Sequence, residues 1–184
     1  MSETILGIWD GHDSGAALIR GSRVLAAINE ERLTRRKLEI NFPENSIKAC
    51  MSVSGIRPGD INAIAVSTCD FSKTLTRVFP SMKEAYYLIR RRKKAPGFLS
   101  GLKKRSKYFL TEIGRSPVTR FVSERQVRSS LKGLGLDGCS IDFIDHHRCH
   151  AASAFFSGFD SCLVVTVDGI GDGLSGTLDR KSVV

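Results

Sequence analysis

No apolar run in this sequence approaches the ~20 residues needed to span a bilayer, and the opening Met1-Ser2-Glu3-Thr4 lacks the basic and apolar regions of a secretory leader. Both absences predict a cytoplasmic chain with no membrane partner. The five cysteines, Cys50, Cys69, Cys139, Cys149 and Cys162, are odd in number and scattered, with no C-x-x-C pair. Neither a disulfide framework nor a cysteine zinc site is indicated, and most of the thiols are expected to behave as small buried apolar groups. No internal repeat or low-complexity tract appears beyond a few basic runs. Acidic charge is almost missing from one stretch: residues 73–132 hold 17 basic residues and 3 acidic ones, against 11 and 16 elsewhere, so +14 there is offset by −5 to give the net +9.

What remains is the composition of an ordinary globular domain, 184 residues with 41% hydrophobic and 26% charged, long enough to bury roughly two-thirds of its unfolded surface without staples. The basic stretch contains Arg90 to Lys94 and Lys103 to Arg105 around Ala95-Pro96-Gly97. It reads as an exposed basic helical insertion without a core. Its two uses would be an anion-binding arm or a solvated helical face, and no recognised nucleic-acid motif organises Phe98, Tyr108 and Phe109.

Hydrophobic spacing predicts a strand at Ile5 to Trp9, a hairpin of Ser14 to Ile19 with Val24 to Ile28, and a helix from Pro43 to a stop at Ser54-Gly55. A strand buried on both faces is expected at Ile61 to Ser67, and a helix opening with a capping box at Ser123-Glu124-Arg125-Gln126 and closing at Gly133 and Gly135. Ile141 to Ile144 reads as a strand, His146 to Phe156 as a helix, and Leu163 to Val167 as a buried strand before another near Leu174.

Three constellations sit at predicted strand ends, where sheet proteins place ligands. In Asp10-Gly11-His12-Asp13-Ser14-Gly15 the glycines allow close backbone approach, His12 can trade a proton near neutrality, and Asp13 can orient it or hold a cation; a polar hairpin loop is the alternative. In His146-His147-Arg148-Cys149-His150, residues 146 and 150 share a helix face and can reach one metal, with His147 a second choice; a capped helix start or hydrogen-bonded core histidines are the alternatives. In Asp168-Gly169-Ile170-Gly171-Asp172-Gly173 the backbone N–H groups could face phosphate oxygens and the carboxylate a divalent cation. This last segment matches neither the P-loop nor the dinucleotide fingerprint, and a tight hairpin would look the same.

The order and spacing of His12-Asp13-Ser14-Gly15-Ala16-Ala17-Leu18, Asn29-Glu30-Glu31-Arg32-Leu33-Thr34-Arg35-Arg36-Lys37, His146 to Phe155 and Val167 to Asp172 resemble the N-terminal part of the nodulation-type O-carbamoyltransferases. The resemblance spans nearly the whole chain outside the basic stretch. It implies an α/β, ribonuclease-H-like lobe of the actin-like ATPase kind: a mixed sheet with helices on its faces, residues 1–184 forming one lobe with 73–132 as the insertion. It also implies a reaction in which carbamoyl phosphate and ATP give carbamoyl adenylate, whose carbamoyl group passes to a hydroxyl of a small molecule. Carried over by position, His146, His150 and Asp168 would ligate a divalent metal, with iron favoured and magnesium possible alongside ATP. His12 and Asp13 would be catalytic; Gly11, Asp168, Gly169, Gly171, Asp172 and Gly173 would line the cofactor; Arg32, Arg35 and Lys37 would hold anionic substrate, unless they are ordinary surface charges. The family's enzymes continue well past this length, so the chain is expected to need a second lobe, from its own continuation or a second chain, or else to be an inactive fragment. A tRNA-modifying threonylcarbamoyl-type or other nucleic-acid-binding protein is the competing reading; the His12 loop and the N-E-E-R run favour a small-molecule acceptor.

Overall fold

The structure is a computed structural model that describes residues 2–90 and 112–182. Strand β1 (Thr4–Trp9) lies at the centre of a five-stranded sheet, antiparallel to β2 (Gly15–Arg20), which pairs antiparallel with β3 (Arg23–Asn29). On its other side β1 runs parallel to β4 (Ala63–Ser67), and β4 parallel to β5 (Ser140–Ile144), giving the order β3-β2-β1-β4-β5. The β2–β3 hairpin turns in two residues and β1–β2 through the five-residue loop 10–14, whereas each parallel step needs a helical crossover. Those crossovers include α1 (Glu31–Thr34) and α2 (Glu44–Ser54) before β4, and α3 (Phe71–Val78), α4 (Pro80–Arg90) and α5 (Pro117–Lys132) before β5. After β5 come α6 (His146–Ala152), a 3-10 turn at Ser153–Phe156, and a separate hairpin of β6 (Ser161–Gly171) and β7 (Leu174–Ser182).

Pairing register puts Leu6, Leu18, Ile64 and Ile141 in one row and Ile8, Ala16, Val66 and Phe143 in the next, all on one face and all buried. Ile47 and Cys50 of α2 and Val127 and Leu131 of α5 complete that core. The mixed α/β sheet is therefore as expected. In β4 full burial is confined to Ile64, Val66 and Ser67, and small Ala63 and Ala65 are half-covered.

Three expectations are corrected. Helix α5 starts at Pro117, not at Ser123: Ser116 accepts the Thr119 N–H at 3.1 Å while Thr119 Oγ accepts the Ser116 N–H at 2.9 Å, with proline at the first helical position. Ser123 is instead fully buried mid-helix, 2.7 Å from the Thr74 hydroxyl. The 73–132 stretch is not coreless, since Lys73, Thr74, Arg77, Tyr87, Val127 and Leu131 are buried; its 91–111 portion, which carries the Arg91 to Lys94 and Lys103 to Arg105 runs, lies outside the described residues. Strand β6 is not buried on both faces, because Leu163, Val165 and Val167 are 60–83% exposed while Thr166 points inward. Alternating apolar residues look the same in sequence whichever side of a strand meets protein.

The N-E-E-R run turns out to be structural at its acids. Glu30, 2% exposed, accepts the Asn45 and Ser46 backbone N–H groups at 3.2 and 2.7 Å and the Ser46 hydroxyl at 2.6 Å, capping α2 from a distance because Pro43 offers no side-chain cap. Charge-assisted bonds to a helix start are the strong kind. Glu30→Ala is expected to lower stability by about 2–3 kcal/mol, read from urea unfolding, with Ser46→Ala alone losing less than half of that. Equal losses in the two variants would show that the hydroxyl, and not the helix N–H groups, carries the cap.

Candidate metal centre

The helix α6 follows β5 directly, so its first residue stands at the C-terminal end of the parallel strands, the usual ligand edge of such sheets. His146 and His150, one turn apart, bring their Nε2 atoms to 3.0 Å of each other. Asp168, arriving from β6, sets its Oδ2 at 2.6 Å from the first ring and 3.5 Å from the second. Among the described residues these three form a group whose donor atoms all fall within 4.8 Å. The triangle is small enough for one ion to reach every corner at the ~2.0–2.2 Å typical of nitrogen and carboxylate ligands. Two imidazoles and one carboxylate are a donor set that suits iron and other first-row divalent metals while leaving positions free. Asp168 is held near a pKa of about 2, first by its hydrogen bond to His146 and then by the Gly169 N–H, so it presents a full negative charge to a cation.

His147, the second-choice ligand, is a core histidine. Its Nε2 donates to the Leu174 carbonyl at 2.9 Å, which leaves Nδ1 to accept the Thr166 hydroxyl at 2.8 Å. That pair staples α6 to the β6–β7 hairpin. Of the glycine run, the structure forms the hairpin alternative: β6 continues to Gly171 and only Asp172-Gly173 turn. The Gly169 N–H is taken by Asp168, and Gly171 lies where a methyl group would overlap the His146 ring. Asp172 spends its carboxylate inside the protein, accepting the His146 N–H at 2.6 Å and the Thr68 hydroxyl.

The His12 loop approaches the triad through Trp9. The indole Nε1 donates to the His12 carbonyl at 2.6 Å, and its ring centroid lies 6.0 Å from His12 and 5.7 Å from His146. His12 is about half exposed, with Nδ1 3.6 Å from the Asp13 carboxylate, an arrangement able to accept or give a proton toward solvent or a ligand. Gly11 is bare beneath the Trp9 ring, where a side chain would clash. Arg32 and Arg35 are exposed on the segment after β3, and Lys37 is paired with Glu31 at 2.8 Å. Among the described residues no hydrogen bond or ion pair links any of these three cations to the triad.

Beneath the loop lies a buried charge cluster that spacing alone did not reveal. Asp10, 2% exposed, receives Arg77 Nε and Nη2 at 2.9 and 3.0 Å, Lys73 Nζ at 2.9 Å, and Lys83 Nζ on its carbonyl at 3.1 Å. Burial alone would raise the Asp10 pKa, but Lys73 and Arg77 outweigh it and hold the carboxyl well below the usual carboxylate range. Burial pulls the Lys73 amine down to about 7 against the attraction of Asp10. Both shifts run downward, which keeps the Asp10 carboxylate charged but favours the neutral Lys73 amine; with Arg77 on both carboxylate oxygens, the dominant pair is Asp10–Arg77 and Lys73 is the surplus cation. Lys73 also lies 4.4 Å over the Trp9 ring. Asp70 caps α3 through the Lys73 N–H at 2.6 Å, and the four-residue spacing of Lys73 and Arg77 puts both on one helix face, without marking Asp10 as their partner.

Residues 4–179 match the family model of the carbamoyltransferase N-terminus. The chain belongs to that family. Among relatives of the carbamoyltransferase N-terminus, it is 31% identical over 168 residues to nodulation protein NolNO of Sinorhizobium fredii, which covers 91% of this chain and 21% of that protein. It is 31% identical over 166 residues to an uncharacterized protein of Synechocystis, sll1178, covering 88% and 24%, and 28% identical over 171 residues to MJ1051 of Methanocaldococcus jannaschii, covering 93% and 23%. The chain thus spans less than a quarter of the length of these relatives. Among the described residues no helix is long and apolar enough to cross a membrane.

Proposed function

We propose that this chain is the metal-holding part of an O-carbamoyltransferase, in which carbamoyl phosphate, ATP and water give carbamoyl adenylate with release of phosphate and pyrophosphate, and the carbamoyl group then passes to a hydroxyl of a small molecule. The observation that carries the reading is the convergence of His146, His150 and Asp168 beside the His12 loop in a member of this family. His146 Nε2, His150 Nε2 and Asp168 Oδ2 hold the divalent metal, with iron the best fit to the donor set and magnesium accompanying ATP. When bound, that ion supplies Lewis acidity toward an oxygen of the carbamoyl donor. His12 takes the proton of the acceptor hydroxyl as its oxygen bonds to the carbamoyl carbon and the bond from that carbon to the adenylate phosphate oxygen breaks to release AMP, and Asp13 steadies the imidazolium that results. The β3-β2-β1-β4-β5 order supports a ribonuclease-H-like, actin-like lobe. Enclosing the nucleotide requires a second lobe, supplied by a longer polypeptide or a second chain, because near-attack positioning and water exclusion are worth up to roughly 7–11 kcal/mol.

Among the described residues, Lys73, Arg77 and Lys83 of the basic stretch face Asp10 and not solvent, so these three cations are spent inside the protein and not on a nucleic acid. The test is metal content. Protein purified without chelator should carry about one equivalent of divalent metal by elemental analysis, and a His146→Ala, His150→Ala double variant should carry none. Full occupancy in the double variant would refute the reading.

A further inference from the structure

The three ligands come from two elements that are joined through side chains. His146 and His150 come from α6 and Asp168 from β6, so the triad keeps its shape only if helix and hairpin are locked together. One lock is His147 on Thr166 and Leu174; the other is Asp172, whose two carboxylate oxygens take the His146 N–H and the Thr68 hydroxyl. Thr68 is an unusual residue for its backbone. It is β-branched, yet it sits at φ +51 just past the end of β4, a region that such side chains avoid. Asp172 and Asp13, also at the candidate site, are two more of the five non-glycine residues with positive φ among the described residues. Strain of this kind persists only where surrounding contacts over-determine it. At Thr68 they do: it is 4% exposed, its N–H donates to the Ile144 carbonyl at 2.8 Å, its Oγ accepts the Asp70 N–H at 3.1 Å, and its carbonyl receives Arg77 Nη1 at 2.9 Å.

We propose that Thr68 and Asp172 are positioning residues for the metal triad: the Thr68 hydroxyl aims the Asp172 carboxylate at the first N–H of α6, and thereby fixes His146 against Asp168. This inference rests on the metal reading above. The same Thr68 carbonyl reaches Arg77 and through it Asp10, so the strained residue ties the metal helix to the base of the His12 loop. Removing the Asp172 link leaves the His147 lock in place, so the fold persists while the ligands lose their mutual register.

Cobalt(II) titration of the 184-residue chain tests this, followed by affinity and by the visible ligand-field spectrum, with urea unfolding measured alongside. Thr68→Val keeps the shape and removes the hydroxyl; it and Asp172→Ala should bind cobalt on the order of 10- to 100-fold more weakly, the range for loss of groups that orient metal ligands. The ligand-field envelope of Thr68→Val should also change. Thr68→Ser retains the hydroxyl and should restore parent-like affinity and spectrum. Parent-like cobalt binding in Thr68→Val and Asp172→Ala, or a Thr68→Ser variant no better than Thr68→Val, would overturn the inference alone. Failure of the parent chain to bind cobalt would overturn the metal reading and the inference with it.

Discussion

Asp10→Asn is expected to lower the stability of the chain by about 3–5 kcal/mol, the loss seen when one partner of a buried ion pair is removed and the other charge stays behind. The substitution is nearly isosteric, so packing barely changes; what disappears is the counter-charge for Arg77, which is 3% exposed and reaches no other carboxylate among the described residues. Lys73→Met should lose far less, because Arg77 and Lys83 still neutralise Asp10 and the buried amine is already easily deprotonated. The pH dependence has a definite sign. The folded pKa of Asp10 is depressed, so its contribution is fully present above the ordinary carboxylate value of 3.8 and is lost as pH falls through the lower folded value. The folded pKa of Lys73 is also depressed, to about 7 against 10.5, so the unfolded chain binds the extra proton and stability rises with pH between those values. Urea midpoints measured across pH should show that rise in the parent and a flatter profile in Lys73→Met. An Asp10→Asn loss below about 1 kcal/mol would mean that water reaches Arg77 and the cluster is not the buried pair described.

Gly171→Ala is expected to abolish tight metal binding, by about 100-fold or more, at or beyond the range for changes next to a metal ligand. A methyl group there would occupy the space of the His146 imidazole, and the ring has no easy retreat, with Trp9 on one side at 5.7 Å and His150 on another at 4.6 Å between centroids. The accompanying loss of stability should stay within the ~1–3 kcal/mol of ordinary overpacking, because the added methyl group meets one ring beside the Asp172-Gly173 turn and not the core of the main sheet. Gly169→Ala supplies the control: nothing lies within 4 Å of a methyl group at that position, so metal binding should be unchanged. Equal behaviour of the two alanine variants would show that the glycine run serves the turn and not the histidine. The missing side chain at Gly171 lets the backbone approach the His146 imidazole, a need that a Gly-rich run in sequence shares with a phosphate loop.

The parts of the site that could be read from sequence are those whose partners are near in the chain. His146 and His150 sit one turn apart on the same helix, so their convergence follows from helical geometry alone, and Asp168 ends the apolar run 163–167 within β6. The strands of the central sheet were legible for the same reason, since each is a short apolar run bounded by turn residues. The Asp10–Arg77 pair spans 67 positions and the Thr68–Asp172 bond 104, and nothing local at either end marks them as partners. Helices α3 and α4 were hidden by their charge: Lys73 and Arg77 count as surface residues until a buried carboxylate is known to face them. Glu30 was singled out by family pattern, but its partner at Ser46 became visible only once α2 had been folded against β3.

Trp9 is the sole tryptophan in the chain. Its position against Lys73, His12 and His146 makes the protein's near-ultraviolet emission a report from one spot, the junction of the charge cluster, the His12 loop and the start of α6. A paramagnetic ion in the triad would darken that emission by contact-range quenching, and deprotonation of the amine over the ring would shift its colour through the local field. The molecule therefore carries its own optical gauge of whether the site is filled and how it is charged, with no dye attached and no other indole to confuse the signal.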